Sequence, residues 1–74
     1  MIEVFKIKII RKYCNTQYKK KEYYSKAKFM KYGKEIYSRY HNVRFYNSLE
    51  TYCEIYKLKD DSWELIEVPK EFNI

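Results

Sequence analysis

Along residues 2–12, IEVFKIKIIRK, apolar and charged side chains alternate. Phe5, Ile7 and Ile9 fall on one face of a strand, and Lys6 and Lys8 fall on the other. β-branched and aromatic residues suit a pleated surface, and outward lysines discourage edge-to-edge aggregation. Residues 15–21, NTQYKKK, read as a polar connection. Residues 22–32 fit two periods. As a helix they place Tyr23, Ala27 and Met30 on one side but send Phe29 and Tyr32 to the other. As a strand they line Ser25, Ala27 and Phe29 on one face and Tyr24, Lys26, Lys28 and Met30 on the opposite one. Gly33-Lys34 then supplies a two-residue turn with glycine first, as a type II′ hairpin requires. The pattern favours the strand.

Asn47-Ser48 and Asp60-Asp61 are later turn candidates. Centring a hairpin on the two aspartates pairs Leu58 with Trp63, Lys57 with Glu64, Tyr56 with Leu65, and Ile55 with Ile66. Each pair is chemically sensible, and good cross-strand pairs contribute about 0.2–1 kcal/mol apiece. A competing helix over 48–57 would use Asn47 and Glu50 as a capping box and Leu49, Tyr52, Cys53 and Tyr56 as its stripe. The predicted fold is mainly β: a small antiparallel meander or partly open barrel of about five strands. The alternative is α+β, with a helix near 18–32 or 48–57. One face collects a candidate core of Phe5, Ile7, Ile9, Ala27, Phe29, Ile36, Tyr40, Cys53, Ile55, Ile66 and Val68.

The length of 74 residues implies a single small domain, 1–74, near the lower limit for a self-sufficient core. One Gly, one Pro and 20% aromatic residues argue against a disordered chain. Lys, Ile, Asn, Tyr and Phe make up 39 of the 74 residues. All five use AT-rich codons, which suggests an AT-rich bacterium or one of its phages or mobile elements and accounts for part of the lysine and tyrosine excess. No apolar run approaches the roughly 20 residues of a membrane span, and Lys6 and Lys8 interrupt what would be a signal sequence. A cytoplasmic location in a bacterial host follows as the expectation, with Cys14 and Cys53 as buried reduced thiols.

Charge is uneven. Residues 1–46 carry thirteen basic and three acidic side chains, and residues 47–74 carry three basic and seven acidic ones. A basic first part points to an anionic partner. In the strand register Tyr24, Lys26, Lys28, Tyr37, Arg39, Tyr56 and Trp63 share the face opposite the core, with Lys28 facing Arg39 and Lys26 facing His41. Like charges across strands are destabilising unless something anionic neutralises them, and rings beside them can stack on bases. That face is therefore the candidate site for nucleic acid or a nucleotide-like anion, with Lys19, Lys20 and Lys21 as peripheral phosphate contacts.

A second expectation, of another class, is a protein-binding inhibitor of host or defence machinery, akin in size and codon bias to anti-CRISPR proteins. An exposed aromatic face also suits a homodimer. Catalysis has little support. His41 is the lone imidazole, and a His–Glu54 pair is the sole candidate for general-base work in a small nuclease. A single Gly excludes glycine-rich phosphate loops. No cofactor is implied, and with one His and no CxxC spacing no metal site is expected.

Overall fold

The computed structural model describes residues 2–44 and 50–73, and the side chains of Val43 and Arg44 are outside that description. The fold is mainly β, as the alternation predicts. Among the described residues, five antiparallel strands form one open sheet: β1 (Phe5–Arg11), β2 (Thr16–Tyr23), β3 (Val43–Arg44), β4 (Glu50–Lys59) and β5 (Ser62–Ile66). The order is β2-β1-β4, with β3 and β5 both pairing to β4, β3 at its start and β5 at its end.

β1 lies at the centre because its sequence has something to bury on both faces. Phe5, Ile7 and Ile9 are sealed on one side, and Lys6 and Ile10 are buried on the other. The β4–β5 hairpin has the register expected from the sequence, pair for pair from Ile55–Ile66 to Leu58–Trp63. Its turn places Asp60 and Asp61 at φ of 50° and 66°. Two consecutive left-handed residues are the signature of a type I′ turn, whose twist matches that of the strands.

The chain between β2 and β3 departs from the strand expectation. β2 ends at Tyr23, and residues 26–40 form one helical segment, α1. It comprises an α turn at Lys26–Lys28, a π turn at Phe29–Gly33 and an α segment at Lys34–Tyr40. Ser25 caps its start, its Oγ accepting from the backbone N–H of Lys28 at 3.3 Å. The expected hairpin at Gly33-Lys34 does not form, because Gly33 has an ordinary helical φ of −64°.

Packing selects the helix. One face of the sheet presents Phe5, Ile7, Ile9, Cys53 and Ile55, and a sheet face of this kind needs a second layer. Phe29, Gly33 and Tyr37, spaced by four residues, supply it, with Met30, Ile36 and Tyr40 beside them. Ala27, a core candidate in the strand reading, is exposed on the helix.

NTQYKKK is likewise mostly not a connection, since Thr16–Lys21 lie in β2, the outer strand beside β1. The competing helix over 48–57 is not formed within its described part, which belongs to β4. The turn expected at Asn47-Ser48 falls outside the described residues.

The layer is closed by a 3₁₀ turn, Lys70–Asn73, that returns the chain to α1. Phe72 packs its ring 5.2 Å from Phe29 and 5.6 Å from Tyr37. Thr51 donates its hydroxyl to the Tyr40 carbonyl, tying the end of α1 to β4. Both cysteines are free. Cys53 is buried as expected, and burial pushes its thiol up to about 12. Cys14 is exposed instead, because it lies in the β1–β2 turn rather than on a core face. Among the described residues, no helix is long and apolar enough to cross a membrane.

Candidate functional site

Helix formation by residues 26–40 divides the residues that the strand reading had gathered onto one face. Tyr37 turns inward, 7% exposed, and stacks on His41 with ring centroids 4.3 Å apart. Lys26, Lys28 and Arg39 are exposed on α1, and Tyr24 is exposed just before it. Lys28 does not face Arg39 across a ladder, nor Lys26 His41. Tyr56 and Trp63 stay on the sheet face away from α1. The pleated platform of seven residues is thus replaced by two separate surfaces.

The first surface is basic and lies where β2 meets α1. β2 brings Lys19 and Lys21 to the α1 side of the sheet, opposite Ile9 and Ile7, and Lys20 to the other side, opposite Lys8. Between the end of β2 and α1 runs a groove of about 600 Å³ lined by Lys21, Glu22, Tyr23, Tyr24, Ser25, Lys28, Tyr32, Glu35 and Ile36. The helical spacing of 28, 32 and 35–36 turns one flank of α1 toward β2. Tyr24 and Tyr32, both among these lining residues, are 65% and 45% exposed. Tyr24 is anchored by donating its hydroxyl to Glu22 Oε1 at 2.9 Å.

Lys21 and Lys28 make no ion pair among the described residues. Lys26, Lys31 and Arg39 extend the positive charge along the exposed surface of α1, opposed there by Glu35 alone. Tyr23, also among the lining residues, is 5% exposed, and its hydroxyl is buried without a hydrogen-bond partner among the described residues. Burial, and then the nearby Glu35 carboxylate, raise its pKa above that of an ordinary phenol.

The second surface is the face of the sheet away from α1. Lys6 Nζ sits 4.2 Å from the Trp63 ring centroid and 5.1 Å from that of Tyr56, and Lys8 Nζ also lies 5.1 Å over Tyr56. Burial, aided by Lys8 and Lys20, pushes the Lys6 ammonium pKa down. Here the cations cap the rings, leaving them less free to stack on a base. Lys8 and Lys20 are balanced by Glu54 and Glu22 on the same face.

Sequence reasoning missed Tyr23, Tyr32 and Glu35 as groove residues. The signal that could have found them is the helical stripe Phe29, Gly33, Ile36, Tyr37 and Tyr40. Once that stripe is turned inward, 28, 32 and 35 share a neighbouring flank.

His41 does not pair with Glu54 in the described contacts. Its Nδ1 accepts from the backbone N–H of Cys53 at 3.0 Å, a structural use of the ring. No group of His, Cys, Asp and Glu among the described residues could hold a metal ion. Comparison with protein-family models, with curated proteins and with solved structures finds no match to this chain.

Proposed function

We propose that the chain is a non-catalytic binding protein for single-stranded nucleic acid, held along the groove between β2 and α1. One observation carries the reading: Lys21 and Lys28, which make no ion pair among the described residues, line a groove together with two exposed tyrosines, Tyr24 and Tyr32. Amines of this kind hold phosphates, and exposed rings stack on bases, each stacked base contributing about 1–3 kcal/mol. The cations of α1 and β2 add a salt-sensitive attraction for the backbone. Duplex would gain from the charge but not from the rings, so single strands are the better fit.

Fluorescence anisotropy of a labelled twelve-nucleotide strand across a salt series tests the reading. Binding falls as salt rises, and Lys21→Ala with Lys28→Ala makes the log–log slope shallower by about 1.4, the loss of two phosphate contacts. Absence of binding even in low salt, or a slope unchanged in the double variant, overturns it.

The opposite sheet face favours a second reading, a protein partner. Leu65 is 58% exposed there beside Trp63, and the face is close to charge balance. Such an aromatic, near-neutral patch suits a second copy of the chain or a host protein that the chain inhibits. A Trp63→Ala and Leu65→Ser variant that loses a binding partner or a dimer, while keeping oligonucleotide binding, is the expected result for this reading.

A further inference from the structure

The seam between β2 and α1 continues past the groove. α1 runs back along β2, and its last residue, Tyr40, reaches the start of that strand, with its ring 6.1 Å from that of Tyr18. Two cations converge on these rings. The Arg11 guanidinium lies 4.7 Å from the Tyr18 centroid, and Lys19 Nζ lies 5.7 Å from that of Tyr18 and 5.8 Å from that of Tyr40. Neither cation makes an ion pair among the described residues. Like charges gathered in one place cost stability unless an anion offsets them. Arg11 covers part of the Tyr18 ring, yet Tyr18 stays 41% exposed, whereas Tyr56 and Trp63 are half-buried with their lysines. A base can still reach Tyr18.

The seam therefore carries rings and cations at both ends. The steps from Tyr18 to Tyr24 along the extended chain cover about 20 Å. Those from Lys28 to Tyr40 along the helical segment cover about 18 Å. Lys19 and Lys21 stand between the two sets of rings, as alternate residues of β2 on the α1 side of the sheet.

We propose that Arg11, Tyr18, Lys19 and Tyr40 form a second subsite for the bound strand, so that the ligand is a polymer spanning the seam and not a lone nucleotide. The inference rests on the single-strand reading above and adds to it a far anchor and a minimum length. Arg11 and Lys19 hold phosphates, Tyr18 stacks on a base, and Tyr40 backs it. A stacked strand rises about 3.4 Å per nucleotide. Even at twice that rise, the two steps between the outer bases of a trinucleotide reach about 14 Å, short of the far ring. An octanucleotide covers both ends.

The test measures anisotropy of labelled thymidine strands of three and eight nucleotides in low salt. The wild type binds the octamer at least about tenfold tighter than the trimer, the scale of one additional stacked base. Tyr18→Ala with Lys19→Gln removes about tenfold from the octamer and leaves the trimer, seated in the groove, within about twofold of its wild-type affinity. Tyr24→Ala weakens both strands. Lys19→Gln alone, which keeps every ring, lowers the salt slope of the octamer by about 0.7 and leaves that of the trimer unchanged.

An octamer that binds the Tyr18 and Lys19 double variant as it binds the wild type overturns the second subsite and leaves the groove reading standing. So does an equal loss for octamer and trimer. Failure of both strands to bind the wild type overturns both readings. Tyr18 and Lys19 are exposed on an outer strand, so these variants keep the fold that the comparison needs.

Discussion

The ring of Phe29 lies flat on that of Phe5, with centroids 4.3 Å apart and planes 7° from parallel. This stack fixes α1 on β1 and thereby sets the width of the groove on the β2 side. Phe29 is 1% exposed, wedged also by Tyr23 at 6.0 Å and Phe72 at 5.2 Å. With rings on three sides it has no room to give way.

That confinement decides the effect of Gly33→Ala. Alanine is the better helix former by about 1 kcal/mol, so an uncrowded site would gain stability. A Cβ at Gly33, however, would come 3.0 Å from Phe29 Cδ1 and 3.5 Å from Phe72 Cζ. Because Phe29 is held from the other side by Phe5, we expect overpacking to win, with a net loss of about 1–2 kcal/mol. Urea unfolding followed by circular dichroism reads the outcome, and a midpoint higher than wild type would show that the aromatic cluster can yield.

His41 predicts a pH dependence. Burial, with a smaller push from the Lys12 ammonium, holds its pKa below the ordinary imidazole value. Protonation would also place a proton on the Nδ1 that accepts from Cys53. The unfolded chain then binds more protons than the folded one between the two pKa values, so stability rises with pH across that window. His41 contributes fully above its unfolded pKa of about 6.5, and the contribution is lost as pH falls through the folded value. The urea midpoint of the wild type should therefore drop more steeply between pH 7.5 and 5 than that of His41→Gln, whose amide can still accept from Cys53. Parallel curves would remove His41 as the cause.

What was legible in the sequence follows from which contacts are local. The β4–β5 register could be read because its partners are a few residues apart and each pair could be checked for chemistry, as with Leu58 and Trp63. β1 was legible from the alternation of Phe5, Ile7 and Ile9. α1 was misread because Gly33 resembled punctuation, which cut the stripe Phe29, Gly33, Tyr37 in half. Its real role is close packing beneath the Phe29 ring, a contact visible only in three dimensions.

β2 had no apolar alternation to announce it. It is an outer strand whose lysines protect the edge, and its partner β1 does the burying. The candidate site suffered most. Tyr24 and Lys28 line one groove with Lys21, but through a helix and a strand end rather than a shared pleated face; Tyr37 lies in the core, and Tyr56 and Trp63 belong to the opposite face.

The location of the strand is the central claim, and amide chemical-shift mapping tests it most directly. A uniformly ¹⁵N-labelled chain is titrated with an unlabelled twelve-nucleotide single strand, in low salt. The account predicts shifts concentrated at residues 19–25, 28, 31–32 and 35–36, with residues 52–58 and 62–66 scarcely moved. Shifts centred instead on Lys6, Tyr56 and Trp63, or an unchanged spectrum, would contradict it.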